Sequence, residues 1–217
     1  MSCKAVIFDL DGTLLDTLED IADSVNRVLK ARGFPTHDLD AYRYFVGDGS
    51  EMLVRRALPP GECQDREVQE TLQAFKKDYG ENWDVKTAPY AGVPQLLDEL
   101  VRRGIPIAIC SNKPHAFSVL CVKKLLNAWR FGQILGQSVR HPRKPAPDSA
   151  LSISDDMEIP PADIAFVGDS GVDMQTAVAA GMFPVGAEWG FRTEEELLEN
   201  GCRFLARRPL DVLQVVK

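Results

Sequence analysis

A doubly wound α/β fold, with one parallel sheet between helices and a helical insertion near its start, is what this 217-residue sequence predicts. Three patterns predict it. Short apolar runs of strand length recur along the chain, amphipathic helical segments lie between most of them, and the segment 16–86 carries helical periodicity with no convincing strand.

The first element is Ala5–Phe8, an apolar run of the length of a buried strand, with Gly12 as the breaker beyond it. Helical spacing follows over Leu18–Lys30, Asp40–Phe45, Ser50–Leu58 and Glu67–Tyr79. These segments are parted by Gly33-Phe34-Pro35, Gly47-Asp48-Gly49 and Pro59-Pro60-Gly61, all turn-forming sequences. The expected organisation is therefore an α/β core of residues 1–15 and 87–217, with a small helical domain, 16–86, inserted after the first strand. In the core, Val93, Leu96, Leu97, Leu100 and Val101 fall on one helical face of Val93–Arg103. Strands are expected at Ile105–Cys110, Phe131–Leu135, Ile164–Val167 and Phe183–Val185, and helices at His115–Leu126, Pro147–Ile153 and Val172–Ala180. Glu194–Glu199, Cys202–Ala206 and Leu210–Val216 read as a closing helix, a short strand and a final helix. In such a sheet, ligands bind beyond the C-terminal strand ends, near a switch in strand order.

Composition bounds the function. The chain is 45% hydrophobic and 26% charged, ordinary for a globular protein, and its net charge of −7 argues against a general nucleic-acid or membrane-surface binder. No apolar stretch approaches bilayer-spanning length. The first strand begins within a few residues of Met1, so no signal peptide is expected. Five scattered cysteines without a CxxC pair read as reduced thiols, and three dispersed histidines have no metal-ligand spacing. A cytoplasmic protein is expected, acting as a monomer or homodimer on a small molecule, with no nucleic-acid or membrane partner. An anionic substrate would need local positive charge against the global field.

Four strand ends carry polar groups. In Asp9-Leu10-Asp11-Gly12-Thr13, strand alternation sends Asp9 and Asp11 to one side. Two crowded carboxylates repel unless a cation or a shared proton intervenes, and Mg²⁺ is the usual hard cation near phosphate. At Cys110-Ser111-Asn112-Lys113-Pro114 a hydroxyl and an amide precede a helix, with Pro114 at its expected first position. In Arg140-His141-Pro142-Arg143-Lys144-Pro145-Ala146-Pro147, three prolines stiffen the loop that holds Lys144, a point charge for a carboxylate and a phosphate oxygen. In Val167-Gly168-Asp169-Ser170-Gly171-Val172-Asp173, Asp169 would complete an oxygen shell, and Asp173, one turn on, would orient it or hold a metal-bound water. Each alone has a plainer reading: solvated acids before a turn, helix caps, or a basic surface loop. Together, in one chain, they make coincidence a poor explanation.

In this order the four segments resemble the motifs of the haloacid dehalogenase-like (HAD) hydrolases, and the resemblance covers essentially the whole chain. Within that superfamily the sequence is most similar to phosphoglycolate phosphatases, through Tyr44–Leu58, Pro89-Tyr90-Ala91-Gly92-Val93, Asp173-Met174-Gln175-Thr176-Ala177 and Glu188-Trp189-Gly190-Phe191-Arg192. The loop Gln137-Ser138-Val139-Arg140-His141 departs from the family's acidic or glycine-rich form. The resemblance implies a HAD core with a cap domain, and a phosphatase acting through an aspartyl-phosphate on Asp9. It further implies Asp11 as acid and base, Lys144 as a catalytic cation, and Mg²⁺ held by Asp9, the Asp11 carbonyl and Asp169, with Asp173 in support. Thr13, Ser111, Asn112 and Lys144 would bind phosphate. In the cap, Gly47, Gly49 and Arg55 (with Arg56 beside it) would meet the rest of a small phosphorylated metabolite such as 2-phosphoglycolate. The competing readings are a pyrophosphatase, nucleotidase or sugar-phosphate phosphatase of the same superfamily, a phosphomutase, and an inactive phosphate-binding protein.

Overall fold

A computed structural model describes residues 2–139 and 142–217, so Arg140 and His141 of the basic loop lie outside the described residues. The chain forms two compact units, Met1–Leu15 with Pro89–Lys217, and Asp16–Ala88. It starts with strand β1 (Ala5–Phe8) and leaves the first unit through β2 (Leu15–Asp16). The second unit holds helices α1 (Leu18–Ala31), α2 (Leu39–Phe45), α3 (Ser50–Ala57) and α4 (Asp65–Asn82). The chain returns through β3 (Ala88–Pro89), which pairs with β2. The first unit continues with α5 (Val93–Arg102), β4 (Ile107–Pro114), α6 (His115–Leu125), β5 (Ile134–Gln137), α7 (Asp148–Met157), β6 (Ile164–Gly168), α8 (Gly171–Ala179) and β7 (Phe183–Ala187). It closes with α9 (Glu194–Glu199), β8 (Phe204–Ala206) and a 3-10 turn at Pro209–Gln214, where a regular helix was expected.

The sheet of the first unit is parallel, in the order β5-β4-β1-β6-β7-β8. Its central strands are buried along their whole length, which explains why β1 and β6 read as continuous apolar runs without alternation. Ile7, Cys110, Ile153, Phe166 and Met182 belong to one core cluster, and Leu96, Leu97 and Leu100 of α5 are fully buried. The chain builds outward from β1 to β4 and β5 on one side, then resumes at β6 on the other. The tips of β1, β4 and β6 therefore flank the switch in strand order, where a doubly wound sheet opens a crevice.

The expected strand bounds move at β4 and β5, and β8 starts at Phe204 and not at Cys202. Ile105 belongs to the turn that ends α5, where its N–H donates to the Leu100 carbonyl at 2.9 Å, so β4 starts at Ile107. β4 also runs on through Ser111 and Asn112 to Pro114, across a register shift against β5, and Pro114 precedes α6 rather than opening it. β5 begins at Ile134, three residues later than expected, since Gly132 and Gln133 meet β4 only through single hydrogen bonds at 2.8 and 2.9 Å. Gly136 permits the irregular pairing: a Cβ there would lie 2.6 Å from both the His115 Cα and the Lys113 carbonyl.

The second unit is held by α1 against α4 and by a polar centre. Asp20, buried, accepts from the backbone N–H of Lys86 at 2.9 Å and of Thr87 at 2.8 Å, and from the Thr87 hydroxyl at 2.7 Å. No helix among the described residues is long and apolar enough to cross a membrane.

The thiols test this packing. Cys63 is exposed, whereas Cys110 and Cys121 are buried, and burial pushes both thiols up to about 12. The thiolate is the reactive form. At pH 8, iodoacetamide should therefore label Cys63 in the folded protein and reach Cys110 and Cys121 only after denaturation, which peptide mass spectrometry reads directly.

Candidate active site

The site grows from the tip of β1. The backbone N–H of Asp9 still pairs with the Val167 carbonyl at 2.9 Å, so its side chain is fixed by the sheet. The chain then turns, with the N–H groups of Leu14 and Leu15 donating to the Leu10 carbonyl at 3.0 and 2.9 Å. Gly12 takes φ +83°, and a Cβ there would fall on the Asp169 carboxylate. The turn delivers Thr13, whose hydroxyl donates to Asp169 Oδ1 at 3.0 Å.

Asp169 and Asp173 come from the tip of β6 and the first turn of α8. Asp169 Oδ2 accepts from the Phe191 N–H at 2.8 Å. Asp173 Oδ2 accepts from the N–H of Ser170 at 3.0 Å and from its hydroxyl at 2.6 Å, closing the N-terminus of α8. Gly168 is required for that closure, because a Cβ there would strike the Asp173 side chain. Gly190 does the same for Asp169: its own Cβ would overlap the Asp169 side chain and lie 2.5 Å from the Gly12 carbonyl. Trp189 ties the same loop to the turn after β1, donating its indole N–H to the Thr13 carbonyl at 2.9 Å.

Lys144 joins these groups. Its ammonium lies 3.0 Å from Asp9 Oδ1 and 2.5 Å from Asp173 Oδ1, and its side chain is 3% exposed. Asn112 fixes the Lys144 backbone by exchanging two hydrogen bonds with it, accepting from its N–H at 2.7 Å and donating to its carbonyl at 3.2 Å. Burial works against the ammonium, but Asp173 and Asp9 outweigh it and hold its pKa above the usual lysine range. Burial pushes the carboxyls of Asp9 and Asp169 well above the ordinary range, with Asp173 adding repulsion at each. Lys144 opposes that rise at Asp9.

The donor set fits a divalent cation. Asp9, Asp169 and Asp173 are buried, and each offers a carboxylate oxygen within 4.8 Å of the others. One ammonium cannot neutralise three carboxylates, and hard oxygen donors suit a hard ion. Asp173 has its oxygens engaged by Ser170 and Lys144, and Asp169 has its own engaged by Thr13 and the Phe191 N–H, so both carboxylates are held in a fixed orientation.

Of the residues expected to cooperate, Asp9, Thr13, Lys144, Asp169 and Asp173 form one connected set. Ser111, 6% exposed in β4 just before its register shift, accepts from the Lys113 N–H at 3.3 Å. Asn112, expected beside phosphate, has its amide committed to the Lys144 backbone. Asp11, whose charge also acts on Asp9, has both its oxygens facing the Lys113 ammonium, at 3.0 and 3.1 Å. Sequence reading gave Lys113 no role, although its place directly after Ser111 and Asn112 at a strand tip was the available signal. Trp189, Gly190 and Phe191 stood out only by resemblance. Gly47, Gly49 and Arg55 belong to the second unit. Gly47 and Gly49 have φ of +119° and +83°. Arg55 pairs with Glu51 and Asp65 at 2.9 and 2.8 Å, and Arg56 pairs with Asp48 and donates to the Tyr44 and Phe45 carbonyls. Both arginines thus have anionic or carbonyl partners inside their own unit, which the helical pattern of the sequence did not reveal.

Residues 6–187 match the family model of the haloacid dehalogenase-like hydrolases. A phosphoglycolate phosphatase of Pseudomonas putida is 37% identical over 194 residues, spanning 87% of this chain and 70% of its own. A phosphoglycolate phosphatase of Psychrobacter arcticus is 32% identical over 207 residues, covering 91% of this chain and 88% of its own. The crystal structure of a Lactobacillus delbrueckii subsp. bulgaricus protein superposes with a TM-score of 0.92 at 27% identity, covering 100% of this chain and 99% of that one.

The support given to Asp169 can be tested apart from catalysis. Gly190→Ala places a methyl group on Asp169, and loss of such support lowers metal affinity by about 10–100-fold. Calorimetric titration with Mg²⁺ should show that loss in a protein that still unfolds cooperatively; wild-type affinity would contradict the packing argument.

Proposed function

Because the chain belongs to the haloacid dehalogenase-like hydrolases and is a phosphatase of that family, we propose that it hydrolyses 2-phosphoglycolate with Mg²⁺ through an aspartyl-phosphate on Asp9. The observation that carries the mechanism is the contact of Asp9 with Lys144 at the switch point of the sheet. The Leu10 N–H, at 2.7 Å, and the Lys144 ammonium both meet Oδ1, which leaves Oδ2 to attack. The phosphoglycolate phosphatases of two genera among the relatives support this substrate.

In the first step Asp9 Oδ2 bonds to phosphorus as the bond to the leaving oxygen breaks, and Asp11 gives its proton to the departing alkoxide. In the second, water bonds to phosphorus, the Asp9–phosphorus bond breaks, and Asp11 takes the water's proton. Asp9, Asp169 and the Asp11 carbonyl would hold Mg²⁺, which when bound supplies positive charge to the phosphoryl oxygens. Lys144 favours the ionised form of Asp9 against the effect of burial and adds charge beside the phosphoryl group, and Thr13 holds Asp169 in place. Ser111 and the backbone N–H groups near it provide fixed donors for the phosphoryl oxygens.

Asp9→Asn keeps volume but removes the nucleophile, and should lower turnover by more than about 10⁴-fold; comparable turnover in a folded variant would rule out the covalent route. Asp11→Asn should lower kcat for an alkyl phosphate by about 10²–10⁴-fold and for p-nitrophenyl phosphate much less, since a phenolate needs little help to leave. A Mg²⁺-dependent phosphate-release screen against 2-phosphoglycolate, pyrophosphate, nucleotides and sugar phosphates should give the highest kcat/KM for 2-phosphoglycolate. A higher value for another ester would replace the substrate and leave the chemistry standing.

A further inference from the structure

We propose that Lys113 is the positioning residue for Asp11, holding its carboxylate where it exchanges a proton with the leaving group and out of the acidic cluster beside it. The proposal rests on the acid–base reading of Asp11 given above.

The geometry is specific. The Lys113 ammonium meets both Asp11 oxygens, at 3.0 and 3.1 Å, and its side chain is only 5% exposed. A solvated surface pair is worth little, but at this burial the partner of a carboxylate decides where it rests. Lys113 is itself fixed. Its N–H donates to Ser111 Oγ at 3.3 Å, its carbonyl accepts from Ser118 Oγ at 3.3 Å, and its ammonium lies 5.7 Å from the centre of the Phe117 ring.

Asp11 needs such a partner. It lies past the end of β1, in a turn whose next residue is Gly12, and 14% of its side chain is exposed. Two residues away begins the cluster of Asp9, Asp169 and Asp173, whose own cation is Lys144. A mobile carboxylate at this point would be repelled by the cluster or captured by an ion held there, and in either place it would not reach the leaving oxygen. The site thus has two lysines with separate tasks: Lys144 faces the nucleophile, and Lys113 faces the acid.

The test is a double-mutant cycle read on two leaving groups. Wild type, Lys113→Met, Asp11→Asn and the double variant are assayed with 2-phosphoglycolate and with p-nitrophenyl phosphate. The double variant removes both charges, so it leaves no buried ion unpaired and serves if the single lysine variant folds poorly. For Lys113→Met the expected loss in kcat is about 100-fold on the alkyl ester and under about tenfold on the aryl ester. The double variant should be no slower than Asp11→Asn, because one residue acts through the other. Equal losses of Lys113→Met on both esters, full retention of activity, or a double variant well below Asp11→Asn would each overturn the proposal. If Asp11→Asn discriminates between the esters and Lys113→Met does not, only the role of Lys113 falls. If Asp11→Asn does not discriminate, the acid–base reading falls and takes this one with it.

Discussion

One buried ammonium set among buried carboxylates is the constraint on which the site depends. Lys144 touches Asp9 and Asp173, while Asp169 completes the cluster. Removing one partner of a buried ion pair costs about 3–5 kcal/mol, since the remaining charge is stranded. The surrounding sequence accordingly fixes every member. Asn112 grips the backbone of Lys144, Ser170 grips Asp173, and Thr13 with the Phe191 N–H grips Asp169. Three glycines, Gly12, Gly168 and Gly190, leave the room that these carboxylates occupy.

The parallel sheet supplies the meeting place. β1, β4 and β6 lie side by side although the chain between them is long; Asp9 and Asp169 lie just past β1 and β6, and Ser111 lies within β4 before its register shift. Burial of these strands on both faces makes their ends rigid, which suits a reaction that depends on fixed charge and fixed donors. The same burial raises the proton affinity of Asp9 and Asp169, so charge compensation is a condition of the site and not an addition to it.

Much of this was legible in the sequence, for identifiable reasons. Continuous apolar runs such as Ala5–Phe8 and Ile164–Val167 mark fully buried strands, and the acids just past them mark strand tips. Alternation placed Asp9 and Asp11 on one side, and the charge of Asp11 does act on Asp9; what alternation could not show is that Asp11, in the turn after Leu10, meets the Lys113 ammonium. Gly12 read as a breaker, whereas its deeper role is spatial, since it lies against the Asp169 carboxylate far along the chain, as Gly168 lies against that of Asp173 one turn away. That the Asn112 amide exchanges hydrogen bonds with the Lys144 backbone is something a local pattern cannot show. Pairings of this kind depend on tertiary contact, and one sequence carries no direct signal of them.

The claim at the centre is that Asp9 itself bonds to phosphorus, and the stereochemical course of hydrolysis addresses it most directly. A phosphorothioate ester made chiral with oxygen isotopes, hydrolysed in water carrying a third isotope, yields inorganic thiophosphate of measurable configuration. Two successive in-line displacements, by Asp9 and then by water, predict retention at phosphorus; inversion would mean that water attacks the substrate directly, and would contradict the account.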